Sequence, residues 1–591
     1  MRKYLYHEHG PWWNSIPKPG TAQARDQEVG KDCLCRASGA TWWEWPIGST
    51  PFFWRWPRFS LALVRDGHPP WFVQKPPRFT RPQQRDKDPE TAQKIKSKLE
   101  NVALKGYIRP GTIKSLTRYF AVPKGDTDVR MVYDASVSGL NDCLWVPSFV
   151  LPDTEALINL MDTTSWMGGL DIGEQFLNFP MHPGLQVFCG MDVRPYLSHG
   201  KSKTMWWRWM RCMMGLKPSP YFSIQGTLLA EEVVRGNRLD PTNPYHWDRV
   251  HLNLPGSPSY LPSKPWVQLL THDGKLSGTS LRYVDDLRLV GHSSEHCWQL
   301  SHRLASIFSY LGLQIALRKF RPPTQQSGPW AGTIAFSTEV GVGITCPAGK
   351  WDKAKGLLAT LQQSLGQNED LDRTSLESMR GFLNHLARTF PVITPYLKGF
   401  HLTLDGWREN RSDDMWKLPR EDWVEASPAT AAPEYVHPAT RLADDVQCLL
   451  TLLAAGTAPT RPARCTKWKV AIYGFVDASL AGHGSSFSLP DGMLLFRHGL
   501  WGRDTDSLSS NFRELCNLVE SVEEAVQLGE LSGSELFIFT DNTTAEGGYY
   551  RGNSDNQILF SLILRLRLLE MNQSLQLHII CCRVTHDPTR D

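Results

Sequence analysis

The stretch "RYVDDLRLVG" at residues 282–291 sets two adjacent carboxylates, Asp285 and Asp286, between two apolar runs. Runs of this β-rich composition normally bury at least one face of a strand. A buried charge without a partner is costly, and two neighbouring like charges raise that cost. The sequence therefore predicts either a positive partner for the pair or a turn that takes the carboxylates out of the strand.

The composition is that of a globular protein with several domains. The chain has 591 residues, of which 41% are hydrophobic and 21% are charged, and this length allows about three to five domains. No apolar run reaches the ~18 residues of a membrane span, and the start "MRKYLYHEHGPWW" has no signal-peptide core. This predicts no membrane partner. The 12 cysteines show no CxxC pair and no zinc-site spacing, which favours reduced thiols inside the cell, in the cytoplasm or nucleus.

Basic residues gather near the N-terminus. Residues 1–130 hold 23 Lys and Arg against 12 Asp and Glu, whereas the other residues hold 41 against 48. The Trp-, Pro- and Arg-rich segment 1–90 could stack on bases and contact phosphates, or it could simply wrap over a neighbouring domain. The charge asymmetry predicts a polyanionic partner rather than a merely solvated basic surface.

Local patterns predict the main elements. A helix is expected at residues 88–106, a hairpin at 116–136, a helix at 294–315 and several helices within 351–404. A short helix at about 439–454 separates two Ala/Pro/Thr-rich segments. From Trp468 onward strands alternate with helices, which predicts a separate α/β domain.

Several carboxylates fall into two ordered groups, in which all but Glu514 end apolar runs and Glu514 lies on the predicted helix between Asp477 and Asp541. The first group is Asp171, Asp285 and Asp286, and the second is Asp477, Glu514 and Asp541. A single Asp at a strand end is usually a cap or a turn former. Carboxylates that converge from adjacent strand ends can bind Mg²⁺ or Mn²⁺, and two such ions suit in-line phosphoryl displacement. Two ordered groups favour the metal-binding interpretation.

The ordered blocks resemble those of reverse transcriptases. "RYVDDLRLVG" resembles the YxDD box, "LDIGEQFLNFPMHPG" the first palm block and "AVPKGDTDVRMVYDAS" the fingers hairpin, and "FVDASLAGHGS", "NFRELCNL" and "FIFTDNTTA" resemble a ribonuclease H domain. The chain is most similar to DIRS-type (tyrosine-recombinase) retrotransposons, with Gypsy-type elements and pararetroviruses as close relatives. The resemblance implies a hairpin with Asp285 and Asp286 at its tip.

The resemblance also implies a role for each matching residue. Asp171, Asp285 and Asp286 would be catalytic metal ligands of the polymerase, with Asp286 mainly electrostatic because neighbours on extended chain point to opposite faces. Asp477, Glu514 and Asp541 would be catalytic metal ligands of the ribonuclease. The nucleotide would be bound by Lys124, Arg130, Phe176 (a steric gate) and Lys319 (a candidate general acid). The primer and template would be contacted by Tyr283, Val284, Gly215, Ser219, Trp330 and Gly332.

The implied fold class is an α+β right-hand polymerase with fingers, palm and thumb, followed by an α/β ribonuclease H-like domain. The expected domains are an N-terminal extension (1–90), fingers and palm (91–345, with an insertion at about 222–280), a helical thumb or connection (346–410), a linker region (411–466) and the ribonuclease H-like domain (467–591). Met214 departs from the Phe or Gln of related enzymes. The fourth ribonuclease acid is expected near the end, where Asp587 and Asp591 stand in no recognisable motif.

The implied function is RNA-directed DNA polymerisation for a retrotransposon, with cleavage of the RNA strand in hybrids. Two Mg²⁺ (or Mn²⁺) ions per active site are expected, with an RNA template, a DNA primer, an RNA/DNA hybrid and dNTPs as partners. Integration partners would be encoded elsewhere in the element, because no protease, integrase or recombinase motif is present. Two alternatives remain: a domesticated or decayed element protein that binds nucleic acid without catalysis, and a polymerase of non-element origin. The sequence does not indicate an oligomeric state.

Overall fold

The computed structural model describes residues 58–582 except 126–127, 198–205, 255–256, 262, 340, 368, 413–416, 426–430, 466–471, 490–491, 503–508, 532, 553 and 555. The chain divides into two units. The first takes the described residues of Met1–Pro152, Met167–Asp248 and Leu270–Thr324, and the second takes those of Asp153–Trp166, Arg249–Leu269 and Gln325–Asp591. Most of the predicted N-terminal extension lies outside the described residues, as do Asp587 and Asp591.

The helices confirm the predicted ones and add others. No described helix is both long and apolar enough to cross a membrane. The helices are α1 (Arg58–Asp66), α2 (Pro89–Leu104), α3 (Thr154–Ile158), α4 (Pro183–Gln186), α5 (Ser219–Arg235), α6 (Ser294–Tyr310), α7 (Ala348–Gly366), α8 (Arg373–Ala387), α9 (Lys398–Asp405), α10 (Thr440–Leu452), α11 (Ser510–Gln527), α12 (Thr543–Arg551) and α13 (Gln557–Asn572).

The strands are mostly short. They are β1 (Trp71–Phe72), β2 (Ile108–Pro110), β3 (Arg118–Lys124), β4 (Asp128–Asp134), β5 (Leu144–Trp145), β6 (Trp166–Asp171), β7 (Gly190–Met191), β8 (Trp207–Trp209), β9 (Arg249–Leu252), β10 (Val267–Leu270), β11 (Thr279–Tyr283), β12 (Asp286–Gly291), β13 (Arg321–Thr324), β14 (Ile334–Thr338), β15 (Gly341–Thr345), β16 (Leu371–Asp372), β17 (Tyr435–Val436), β18 (Arg461–Cys465), β19 (Ile472–Ala478), β20 (Gly482–Ser488), β21 (Leu494–Leu500), β22 (Glu535–Thr540) and β23 (Gln576–Cys581).

The first unit is built around a four-stranded sheet of order β11–β12–β6–β13. Helix α6 packs against β12, because Cys297, Leu300, Leu304 and Phe308 recur at every third or fourth position and are all fully buried. Ser293 accepts from the backbone of His296 and begins the helix. The predicted hairpin at 116–136 is confirmed as β3 and β4, which pair antiparallel.

The second unit contains a five-stranded sheet of order β21–β20–β19–β22–β23. The β21–β20 and β20–β19 pairs are antiparallel, and the β19–β22 and β22–β23 pairs are parallel. Helix α11 packs on β19 and β20 and is itself packed by α13. This confirms the α/β pattern after Trp468, although that pattern indicated only β19, β22 and β23 and missed β20, β21 and α12.

Helices α7 to α10 form a second apolar core of the same unit, around residues such as Trp351, Leu383 and Phe400. Within the predicted linker, α10 buries Leu442 and Leu449 in this core and β18 pairs antiparallel with β15. The predicted insertion at 222–280 begins inside α5 and includes β9 and β10, which pair with each other.

Candidate carboxylate sites

The acids of "RYVDDLRLVG" lie at the tip of a β-hairpin. Strands β11 and β12 pair antiparallel with Tyr283 opposite Asp286, so Val284 and Asp285 form a two-residue turn. Val284 has a φ of 59°, which a β-branched residue adopts only where its surroundings hold it there. The turn takes Asp285 out of the strand and confirms the hairpin that the resemblance implied.

Asp171 ends β6 beside this hairpin tip. The backbone N–H of Ile172 donates to the Asp285 carbonyl at 2.7 Å, which joins the end of β6 to the turn. Burial and the negative charge of Asp171 raise the pKa of Asp285. Burial also raises the pKa of Asp286, although Arg321 and Arg288 oppose that shift. The structure therefore brings Asp171, Asp285 and Asp286 together, and we call them the tip carboxylates.

Two cations accompany the tip carboxylates. Lys319 Nζ donates to Asp171 Oδ2 at 2.8 Å, and Arg321 Nη1 lies 3.6 Å from Asp286 Oδ1. Lys319 ends a 3₁₀ turn, Leu317–Lys319, and Arg321 begins β13 beside β6. The adjacent acids thus have both a turn and positive partners. Arg321 was not predicted from the sequence. The feature that could have indicated it is a basic residue at the start of a strand, two positions after Lys319.

The environments of Asp285 and Asp286 differ, but not for the predicted reason. The prediction that they face opposite sides of an extended chain is wrong, because Asp285 belongs to the turn. The charges of Asp171 and Lys319 act on the pKa of Asp285, whereas those of Arg321 and Arg288 act on the pKa of Asp286. Arg288 is 1% exposed, and this burial lowers its pKa to about 10.

Glu174 organises the segment that follows Asp171. Its carboxylate accepts from Tyr107 Oη at 2.7 Å and from Lys105 Nζ at 3.0 Å, and its φ is 48°. The next residues form a 3₁₀ turn, Gln175–Asn178, in which Phe176 is half-buried. Sequence reasoning missed Glu174, whose one signal is a charged residue three positions after Asp171.

The β3–β4 hairpin carries the two predicted nucleotide-binding cations. Lys124 ends β3 and lies opposite Asp128, while Arg130 lies opposite Val122 in β4. Both side chains are exposed. Asp128 is engaged by Lys98 Nζ at 3.0 Å. The hairpin therefore presents two cations that an anion can reach.

The predicted template residues Gly215 and Ser219 have structural roles. Gly215 has a φ of 84°, and a Cβ there would lie 1.7 Å from the Tyr133 carbonyl oxygen, so only glycine fits. Ser219 is fully buried and its Oγ donates to the Met213 carbonyl at 2.7 Å. Met214, in contrast, is 42% exposed, which makes it the more accessible side chain of this block.

The predicted primer residues Trp330 and Gly332 belong to a tight turn at residues 330–333 in the second unit. The Trp330 N–H donates to the Thr333 carbonyl at 2.8 Å, and the Thr333 N–H donates back at 2.9 Å. Ala331 and Gly332 both have positive φ, 48° and 80°, as in a type I′ turn. The Trp330 side chain is only 1% exposed, so it is not available to contact a ligand directly.

The second group of acids meets at one edge of the five-stranded sheet. Among the described residues, Asp477, Glu514 and Asp541 are the group of His, Cys, Asp or Glu whose ligand atoms all lie within 4.8 Å of one another. Asp477 is in β19, Asp541 follows β22 and Glu514 is in α11. We call them the sheet-edge carboxylates. Asp477 and Asp541 also line an open depression of about 870 Å³, together with His498 of β21.

Glu514 is the buried member of the sheet-edge carboxylates. Its Oε1 accepts from the Ala478 N–H at 3.1 Å, while its Oε2 is buried without a hydrogen-bond partner. Burial, reinforced by the charges of Asp541 and Asp477, raises its pKa to about 7. Three carboxylates with crowded ligand oxygens match the hard oxygen ligands that Mg²⁺ and Mn²⁺ prefer.

No protein-family model and no curated protein matches the chain. Solved structures of foamy viral protease–reverse transcriptases resemble it. A dRH form in complex with double-stranded DNA is 14% identical with a TM-score of 0.41, over 87% of this chain and 74% of that one. A complex with an RNA/DNA hybrid is 12% identical with a TM-score of 0.39, over 86% of this chain and 55% of that one. Another complex with double-stranded DNA is 15% identical with a TM-score of 0.38, over 87% of this chain and 88% of that one.

Proposed function

We propose that the chain is the RNA-directed DNA polymerase of a retrotransposon, which transfers a nucleotidyl group from a dNTP to a primer 3′-OH. The observation that carries this proposal is the set of tip carboxylates, with Asp285 in a hairpin turn hydrogen-bonded to the end of the strand that carries Asp171. Exposed cations on the β3–β4 hairpin of the same unit agree with an anionic substrate.

The tip carboxylates fit divalent metal ions in the chemistry of their donors. Burial raises the pKa of both Asp285 and Asp286, so these carboxylates gain from added positive charge. Asp171 and Asp285 would hold two Mg²⁺ or Mn²⁺ ions, and Asp286 would add negative potential. When bound, the ions lower the pKa of the primer 3′-OH and neutralise the departing pyrophosphate.

The chain's own residues bind and orient the nucleotide. Lys124 and Arg130 contact the triphosphate, and Phe176 closes the space that a ribose 2′-OH would need. Lys319, whose ammonium already contacts Asp171 at 2.8 Å, delivers a proton to the leaving pyrophosphate. The backbone turn at 330–333 contacts the primer, and the loop at Met214 and Gly215 contacts the template.

A second activity, cleavage of the RNA strand in RNA/DNA hybrids, is favoured by the sheet-edge carboxylates. Their ligand atoms lie within 4.8 Å of one another, which suits two divalent ions on a scissile phosphate. The order β21–β20–β19–β22–β23 agrees with a ribonuclease H-like domain. We also propose the domain boundaries expected from the sequence and an intracellular location, which the unpaired cysteine pattern favours. The order of the sequence motifs supports membership of the DIRS-type elements.

Primer extension tests the proposal directly. Purified chain is mixed with a DNA primer annealed to an RNA template, the four dNTPs and Mg²⁺, and the products are sized. We expect extension that EDTA abolishes. If clean protein yields no product while it still binds the duplex, the chain is the binding-only alternative and the polymerase proposal is wrong.

A further inference from the structure

An exposed thiol, that of Cys582, follows β23 directly beside the sheet-edge carboxylates. Successive side chains of a strand point to opposite faces of a sheet. In β19 and β23, Val476 and Ile579 are buried in the core that α11 covers. The side chains of the other parity, which include Asp477 and Cys582, therefore face the other side. There Asp477, Asp541 and Cys582 line the same open depression.

The strand register places Cys582 next to Asp541. Strands β22 and β23 are parallel, and their last paired residues are Thr540 and Cys581. The ladder continues by one more hydrogen bond, in which the Cys582 N–H donates to the Thr540 carbonyl at 2.8 Å. Asp541 and Cys582 are therefore neighbours on adjacent strands, whose spacing is about 4.8 Å. Because the donor atoms of one zinc ion lie about 2.0–2.3 Å from it, a thiol and a carboxylate in this arrangement can bind one ion between them.

A second observation, at Glu514, also points to a bound cation. Glu514 is 5% exposed, and its Oε2 is buried without a hydrogen-bond partner. The ligand oxygens of Glu514, Asp477 and Asp541 lie within 4.8 Å of one another. A buried carboxylate oxygen that no donor satisfies is costly, and a cation removes that cost. The thiol of Cys582 thus lies beside a group of oxygens that a metal ion would stabilise.

Sulfur changes which ion such a site prefers. Carboxylates alone favour hard cations such as Mg²⁺ and Mn²⁺. A thiolate is a soft ligand that selects Zn²⁺ and its heavier analogue Cd²⁺, and the thiol loses its proton to solvent when the metal–sulfur bond forms. Three carboxylates and one thiolate supply the four ligands of a tetrahedral, closed zinc site. A closed site keeps no open position for a phosphate.

We propose that Cys582 is a further metal ligand at the sheet-edge carboxylates, and that with Asp541 it binds a thiophilic divalent ion, Zn²⁺. The inference rests on the metal site proposed for RNA cleavage and adds an inhibitory ion to it. Mg²⁺ or Mn²⁺ held by the carboxylates alone leaves the site open to a scissile phosphate, whereas Zn²⁺ held with the thiolate closes it. Zn²⁺ therefore competes with Mg²⁺ and inhibits RNA cleavage.

The test follows Cd²⁺ binding to the full chain, because a Cd²⁺–thiolate bond absorbs in the ultraviolet and the band reports the sulfur ligand directly. Wild type is compared with Cys582→Ser, Asp541→Asn and the double variant. Difference spectra against Cys582→Ser distinguish the band of this site from those of the other thiols. We expect either single change to weaken Cd²⁺ binding about tenfold or more, since even the removal of groups behind a metal ligand costs that much. The two effects should not add, because either change breaks the same site.

Cys581→Ser is the matched control. It removes the neighbouring thiol, which has the parity of Ile579 and so points to the α11 face. Serine can keep the contact of Cys581 with the Asp541 carbonyl, so the wild-type Cd²⁺ affinity should be retained. On an RNA/DNA hybrid with Mg²⁺, the Zn²⁺ concentration that halves cleavage should rise about tenfold in Cys582→Ser and stay unchanged in Cys581→Ser.

The binding and cleavage measurements can fail independently. Equal Cd²⁺ binding by wild type and Cys582→Ser, additive effects of Cys582→Ser and Asp541→Asn, or equal Zn²⁺ inhibition of wild type and Cys582→Ser overturns the inference, even in a chain that cleaves RNA. A Cd²⁺ site that needs both residues, in a chain that cleaves no RNA, overturns the cleavage proposal and supports the metal site with its sulfur ligand.

Discussion

The tip carboxylates all lie near strand ends, whereas the sheet-edge carboxylates join two strand-end acids, Asp477 and Asp541, to Glu514 of helix α11. The two sets also have different neighbours. At the tip, Lys319 contacts Asp171 and Arg321 lies by Asp286. At the sheet edge, the three carboxylates crowd within 4.8 Å, and Glu514 has a pKa raised to about 7. Side-chain cations compensate the charge at the first site, whereas the raised pKa of Glu514 favours taking up a proton at the second.

This difference couples metal binding to a different event at each site. A metal ion that enters the tip site competes with the ammonium of Lys319, whose side chain is 52% exposed and can swing away into solvent. A metal ion that enters the sheet-edge site displaces a proton from Glu514. Metal affinity should therefore depend on Lys319 at the tip and on pH at the sheet edge.

The largest effect is expected when Asp285 and Asp286 are both changed to Asn. Primer extension should fall on the order of 10⁴-fold or more, because the acids act as one catalytic unit. RNA cleavage in a hybrid should be unchanged, since the sheet-edge carboxylates are intact. Primer–template binding, measured by fluorescence anisotropy, should be equal or tighter because two charges that repel phosphate are gone. Weakened binding would count against the metal-ligand assignment.

The converse change is Asp477→Asn at the sheet edge. RNA cleavage should fall on the order of 10³-fold, while primer extension should keep its rate. Asp444→Asn, which removes an exposed carboxylate from α10 of the same unit, is the matched control and should change neither activity. A parallel loss of both activities in Asp477→Asn would show that the two sites do not work independently.

The acids themselves could be predicted because five of them end apolar runs, and Glu514 lies in a short helical motif between Asp477 and Asp541. Lys319 was predicted only as a nucleotide-binding residue, and its contact with Asp171, 148 positions away, could not be predicted from the local sequence. Arg321, which begins β13 beside β6, was not predicted at all. The burial of individual side chains could not be predicted from the sequence either. Nothing in the local sequence shows that the Ser219 hydroxyl donates to a backbone carbonyl or that the Trp330 indole is buried.

The same distinction applies to the fold. Helices α2 and α6 and strands β19, β22 and β23 were predictable, because their apolar residues recur with the period of the element. Strand β20 reads "GHGSSFS", whose glycines and serines have little β-propensity. It becomes a strand because β19 and β21 supply hydrogen bonds on both sides. Such elements are decided by their neighbours rather than by their own residues.

A smaller effect, on the order of 10²-fold, is expected for Lys319→Met. The rate of nucleotide addition at saturating Mg²⁺ should fall because the proton donor is lost. The Mg²⁺ concentration for half-maximal rate should also fall, because Asp171 loses its competing ammonium. Arg318→Met, which removes the neighbouring exposed cation, should change neither quantity. An unchanged rate with tighter Mg²⁺ dependence would assign Lys319 to charge balance alone.

The smallest effect is on stability and comes from Glu514. Its pKa is about 7 in the folded chain against an ordinary 4.5, so the stability from its proton is complete below pH 4.5 and is lost as the pH rises through 7. In EDTA, the titration of Glu514 should therefore lower the melting temperature of the metal-free chain by a few degrees between pH 5 and 8. Glu514→Gln, which keeps the side-chain shape without the titration, should remove that part of the slope. Mg²⁺ should reverse its sign in the wild type, because deprotonated Glu514 becomes a ligand. If Glu514→Gln shows the same pH slope as the wild type, another group titrates. Metal binding at the sheet-edge carboxylates would then not be coupled to a proton on Glu514.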